Sequence, residues 1–157
     1  MDIANGLKLC RTIWSDPKTI IIKDRSTDTE VAVLNTDQMT IVCFNSTDSE
    51  IDEQLNRQYR LVRPDWATHI RVHLGFLTKL NTVEKQLDLA IQHNSLFYIG
   101  FSQGGSMAQL AALHRTINST IAEEITVYAY GSPRLGDLSF VRLYDHHINK
   151  SIRVYYN

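Results

Sequence analysis

The chain has 157 residues with 16 Lys and Arg against 17 Asp and Glu, a formal net charge of -1. A chain of this length fits one domain that hides roughly 70% of the surface its unfolded form would expose. The basic residues form no block, so a nucleic-acid partner is not expected.

No run approaches a membrane-spanning length, and the opening Met1-Asp-Ile-Ala-Asn-Gly6 lacks the pattern of a secretion leader. Neither a transmembrane segment nor secretion is therefore expected, and the compartment defaults to the cytoplasm. Cys10 and Cys43 are too few for a disulfide framework, and Cys43, inside an apolar run, reads as a buried thiol. The sequons Asn45-Ser46-Thr47 and Asn118-Ser119-Thr120 read as coincidence in a chain without a leader.

Apolar, β-branched runs over 18–23, 31–34 and 39–44 are separated by polar stretches such as 24–29, which predicts an antiparallel opening. Residues 51–61 read as a weakly apolar helix or loop ended by Pro64, and 68–73 as a short strand. From Gly75 onward, Phe76, Leu80, Val83, Leu87 and Ala90 recur at alternating steps of four and three, the buried face of an amphipathic helix.

The spacing then predicts a strand over 96–101, a helix from 103 to about 116, a strand over 125–130, a helix over 138–148 and a strand over 152–156. Parallel strands need a crossover and a helix is the usual one, so this alternation predicts a single α/β domain. Its sheet should be mostly parallel, with helices on both faces and antiparallel strands at the start. Sites in such sheets form at the carboxyl ends of the strands, which directs attention to the residues just after Phe44, His73, Phe101, Tyr130 and Tyr156.

One of these places carries a recognisable device. Gly100-Phe101-Ser102-Gln103-Gly104 is a G-x-S-x-G sequence that directly follows an apolar strand and precedes a helical pattern. This is the context in which such a serine sits on a sharp turn with its hydroxyl projecting as a nucleophile. Glycines on either side leave space around the turn, and Gly105, Ser106 and Ala108 suit a helix pressed against the sheet, its positive dipole end toward Ser102.

Four blocks occur in a set order: Phe44-Asn45-Ser46-Thr47, Val72-His73-Leu74-Gly75-Phe76, Gly100 to Gly105, and Tyr130-Gly131-Ser132-Pro133-Arg134-Leu135-Gly136-Asp137. In this the chain, from about Val31 to its last residue, is similar to the class 3 (fungal type) lipases of the α/β-hydrolase superfamily. It departs from them at Phe101, where the family usually has histidine, and at Asn45-Ser46, where it usually has an Arg-Gly pair. The elbow alone looks like that of acyl-protein thioesterases and carboxylesterases, which lack the Gly-Ser-Pro-Arg piece.

The resemblance implies a serine ester hydrolase of lipid metabolism, of triacylglycerol lipase or esterase type, acting on a lipid or other ester. Ser102 would be the nucleophile, with an oxyanion hole built from Thr47 and the backbone N–H of Gln103. General chemistry agrees, since one donor comes from the residue after the nucleophile and another from a loop ending a neighbouring strand. No cofactor or metal is implied, because no His, Cys, Asp and Glu cluster shows ligand spacing. The 131–137 loop reads as structural, and His73 as a framework residue without a chemical role.

In this superfamily the acid and then the histidine follow the nucleophile in sequence, and the resemblance puts the acid just after the strand that ends this chain. Both are expected to be absent from these 157 residues, so the chain reads as an N-terminal and central portion, with an exposed edge strand and feeble activity by itself. Asp145, His146 and His147 fall on a helix covering the sheet, away from its carboxyl edge, and His93 and His114 read as solvated cations at helix ends. A non-catalytic lipase-like binding domain and a thioesterase-like hydrolase remain the alternatives.

Overall fold

The computed structural model of the chain describes residues 3–46 and 59–155. Strands Ile20–Asp24 (β1), Thr29–Asn35 (β2) and Thr40–Phe44 (β3) form the antiparallel opening. Ser95–Phe101 (β6), Glu124–Tyr130 (β7) and Lys150–Val154 (β8) extend it in parallel. The order is β1-β2-β3-β6-β7-β8, with Phe44 paired to Gly100, Gly100 to Ala129 and Tyr130 to Val154. The ends of β3, β6, β7 and β8 therefore lie side by side.

Successive parallel strands are added in one direction only. Because crossovers are right-handed, this order places the described crossover helices on one face: Leu74–Ala90 (α2), Gln103–Asn118 (α3) and Leu138–His147 (α4). That face buries Val31, Val33, Val42, Phe44, Leu96, Tyr98 and Val127 against Phe76, Leu80, Val83 and Leu87 of α2, Met107, Leu110 and Ala111 of α3, and Phe140 and Tyr144 of α4. The alternate residues Ala32, Ile41, Cys43, Phe97, Ile99, Tyr128 and Tyr130 bury on the opposite face. Continuous apolar strands are what a sheet covered on both sides requires.

The second face is covered by an element the sequence reading did not include, a helix over Ile3–Thr12 (α1) that continues into a 3-10 turn, Ile13–Ser15. Ile13 is buried there, with Leu7, Cys10 and Trp14 packed partly buried beside it. Its signal was present, since Leu7, Cys10 and Trp14 follow helical spacing, but Asn5 and Gly6 weaken the propensity. Gly6 has a structural reason: a Cβ there would stand 2.3 Å from Tyr130 Oη, and that hydroxyl donates to Ile3 O at 2.7 Å.

The strand expected over 68–73 shrinks to Val72–His73 (β5), which pairs antiparallel with Leu61–Val62 (β4) in a separate two-stranded ribbon. Turn bonds from Ala67 N to Pro64 O and from Ile70 N to Ala67 O consume the preceding residues. The last strand begins two residues earlier than the sequence indicated and lies at the sheet edge, with Ile152 partly exposed. Residues 51–58 of the expected helix or loop lie outside the described residues. Among the described residues no helix is long and apolar enough to cross a membrane.

Candidate active site

At the junction of β6 and α3, Ser102 has φ 52° and ψ -126°. A positive φ is uncommon for a side chain with a Cβ and costs about 1 to 3 kcal/mol unless the surroundings enforce it. They do so through short backbone bonds. Ser102 N donates to Tyr130 O at 2.7 Å, carrying the β6–β7 ladder into the turn, and Gly105 N donates to Ser102 O at 3.0 Å.

The motif glycines are needed for closeness rather than for φ. A Cβ on Gly100 would lie 2.1 Å from Gly104 O, and one on Gly104 would lie 2.4 Å from Phe44 O. The first turn of α3 is thereby pressed onto both β6 and the end of β3. The N–H groups of a first helical turn project from its N-terminus with the positive end of the helix dipole, and Ser102 sits there as the N-cap residue.

Ser102 opens on a cleft of about 390 Å³ lined by Tyr59, His73, Phe76, Gln103, Pro133 and Arg134, within the size range of small-molecule sites. Four segments contribute: the chain just before Leu61 with Tyr59, His73 with the start of α2, the elbow, and the loop after β7. That loop is held from several sides. Gly131, with φ 58°, donates from its N to Val154 O at 2.7 Å. Gln109 Nε2 and Arg153 Nε donate to Ser132 Oγ at 3.1 and 2.9 Å, and Ser106 Oγ donates to Pro133 O at 3.0 Å. Asp137 then caps α4, accepting from Phe140 N at 2.8 Å. The loop thus presents Pro133 and Arg134 to the cleft and starts the next helix.

Gln103 begins α3 beside Ser102, and its buried carboxamide accepts from Lys79 Nζ at 3.2 Å. Thr47, the other expected oxyanion donor, lies outside the described residues. The chain leading to it does reach the elbow, since Phe44 pairs with Gly100. Asn45 is tied sideways to β2 by Nδ2 donating to Glu30 Oε2 at 3.0 Å. A second depression of about 240 Å³ is lined by Phe101 together with Leu7, Cys10, Trp14 and Phe44, among others.

Of the histidines, His73 alone lines the Ser102 cleft. Its buried ring stacks on Phe76 with centroids 4.4 Å apart and meets Tyr59 edge-on at 6.3 Å. The Val-His-x-Gly-Phe block was the signal for this placement, although it does not reveal that His73 lines the Ser102 cleft. Asp145, His146 and His147 do not line it, and His146 faces a separate depression with His69 and Arg142. His114 needs correcting. It is not a solvated cation at a helix end but lies partly buried within α3, with Nε2 3.3 Å from Glu84. Burial pulls its pKa below the usual histidine value, against the opposing pull of Glu84.

The family model for lipase (class 3) matches residues 35–157. Among solved structures, the chain is similar to Rhizomucor miehei triacylglyceride lipase, with 21% identity, a TM-score of 0.70, and coverage of 92% of this chain and 64% of that one. The Rhizomucor miehei lipase propeptide complex matches at 21% identity and TM-score 0.73, over 96% of this chain and 56% of that one. A mono- and diacylglycerol lipase from Aspergillus oryzae matches at 24% identity and TM-score 0.68, over 85% and 52%. At these identities the structural likeness is one of fold, and the chain spans less than two thirds of each of these proteins.

Proposed function

Because the chain belongs to the class 3 lipase family, we propose that it is a serine ester hydrolase of lipid metabolism, of triacylglycerol lipase or esterase type, in which Ser102 is the nucleophile. One observation carries the reading: a serine with positive φ stands at the strand-to-helix turn, at the mouth of a cleft walled by Tyr59, Phe76 and Pro133. Ser102 Oγ attacks the ester carbonyl carbon, and the carbonyl electrons move onto oxygen. The N–H of Gln103 and the hydroxyl and N–H of Thr47 receive that charge, each donor contributing roughly 3 kcal/mol of transition-state stabilisation. Collapse expels the alcohol, and water releases the acid from the acyl-enzyme.

The proton needs a base, and the described residues offer no oriented histidine and carboxylate pair at Ser102 Oγ. A missing triad partner typically costs about four to six orders of magnitude. The 157-residue chain by itself is accordingly inferred to acylate slowly. With p-nitrophenyl butyrate, we expect slow release of p-nitrophenol approaching one equivalent, abolished by Ser102→Ala. Identical release from the variant and the parent would overturn the assignment.

The lack of such a pair among the described residues motivates a second reading, a lipase-like domain that binds an acyl chain without turnover. Saturable binding of a fatty acid to a protein whose Ser102 never acylates would favour it. The thioesterase-like reading of the elbow has less support, because its likeness ends at Gly105 whereas the family match runs from residue 35 to 157.

A further inference from the structure

Helix α2 turns an apolar stripe toward the core, yet Lys79 lies within that buried surface at 2% exposure, as enclosed as its neighbour Leu80. Lysine is almost never fully buried unless its head is paired, because removing an ammonium from water is costly. Packing alone gives no reason for it, since leucine or methionine would fill the same space without that cost. Its Nζ donates to Gln103 Oε1 at 3.2 Å, and the Gln103 side chain is itself only 6% exposed. Two polar groups are therefore buried together directly behind the residue that follows Ser102.

We propose that Lys79 is a positioning residue for the oxyanion hole: its ammonium grips the Gln103 carboxamide from behind and holds the first turn of α3 with the Gln103 N–H at the reacting centre. The inference rests on the reading of Ser102 as nucleophile and extends it to a residue one layer behind. A carboxamide clamped by a charged donor cannot swing, and charge-assisted hydrogen bonds are about twice as strong as neutral ones. The backbone of Gln103 gains a second anchor in addition to the close packing of Gly104 on Phe44. A positive charge in this low-dielectric layer also favours the developing oxyanion.

The electrostatic surroundings make the device testable. Burial holds the Lys79 pKa down to about 8, against an opposing pull from Asp28 in the β1–β2 turn. Gln103, which accepts from Lys79 across the packing of α2 on α3, is uncharged. The clamp is thus charged at neutral pH and loses its charge in mildly alkaline solution.

The experiment is fluorophosphonate labelling of the 157-residue protein, separating kinact from KI, in the parent and in Lys79→Met. We expect kinact to fall by about tenfold, a fraction of the effect of losing an oxyanion donor outright, with KI unchanged. The ratio of parent to variant should decline toward one between pH 7 and pH 9.5. An unchanged kinact, or a ratio independent of pH, would overturn the proposal. A merely structural lysine would lower stability without producing that pH dependence.

If the parent itself is not labelled, the nucleophile assignment fails first, and the clamp is then judged by amide spectra. Its loss should shift the backbone and side-chain amides of Gln103 and speed their exchange, leaving Ala111 unaffected. Unchanged Gln103 amides would sink the clamp. Should Lys79→Met not fold, Lys79→Gln removes the charge and is read in the same two ways.

Discussion

Gly104→Ala tests the packing that brings the Ser102 turn to the end of β3. A Cβ at this position would lie 2.4 Å from Phe44 O and 3.1 Å from Asn45 O. Both obstacles are backbone atoms held in or beside the β2–β3–β6 ladders, so neither can rotate away. Real Cβ atoms do not approach closer than 3.0 Å, and the first turn of α3 must therefore withdraw from β3 by roughly 0.6 Å, a displacement that overpacking of 1 to 3 kcal/mol can drive.

That movement carries Gln103 N–H away from the loop that follows Phe44. Misplacing a reacting group by about 1 Å can cost about a hundredfold in rate, so a loss of about tenfold is expected here. Fluorophosphonate kinact and the urea midpoint would be measured on the same samples. Gly105→Ala serves as the milder control, because its Cβ would come no nearer than 2.9 Å to any atom, Ser132 Cβ being the nearest. A Gly104→Ala protein with parental midpoint and parental labelling would refute the argument.

Three further outcomes are expected. Lys79 titrates near 8 in the folded protein and near its ordinary 10.5 when unfolded. The unfolded chain therefore binds more protons between those values, and the penalty on the charged form is full below pH 8 and relieved as pH rises toward 10.5. The unfolding free energy of the parent relative to Lys79→Met should improve by roughly 1 to 2 kcal/mol from pH 7 to pH 10.5, the full shift being reduced by solvent screening, and a constant difference would contradict this. His73→Phe, which keeps a ring against Phe76, should retain labelling within a few-fold, whereas a loss of about a hundredfold or more would make His73 a base instead of a framework residue. Asp137→Ala should lower stability by about 1 kcal/mol through loss of the α4 cap, read from urea unfolding, and no change would show the cap to be idle.

The strand-helix alternation and the elbow were legible because they rest on local signals: the stripe from Phe76 to Ala90, and a serine between small residues after an apolar strand. Two features were not. That the described crossover helices lie on one face follows from the strand order, which a sequence does not state. The cover on the other face came from α1, whose helical spacing is short and interrupted by Gly6, a residue required by the approach of Tyr130. At the cleft, the places of Ser102 and Gln103 could be read from their motif, whereas the place of Lys79 behind Gln103 could not. On the helical stripe it looks like a polar residue between apolar ones, and only the packing of α2 against α3 brings it to Gln103. His114 was misread for a related reason, since the turn carrying Trp66 covers it, with ring centroids 5.2 Å apart, and neighbouring residues in sequence give no hint of that.

The most direct measurement is peptide mapping by mass spectrometry after exposure of the folded protein to a fluorophosphonate. The expected result is one adduct per chain, located at Ser102 and lost in Ser102→Ala. An adduct on any other serine, or a folded protein that carries none after prolonged exposure, would contradict the assignment of Ser102 as the nucleophile.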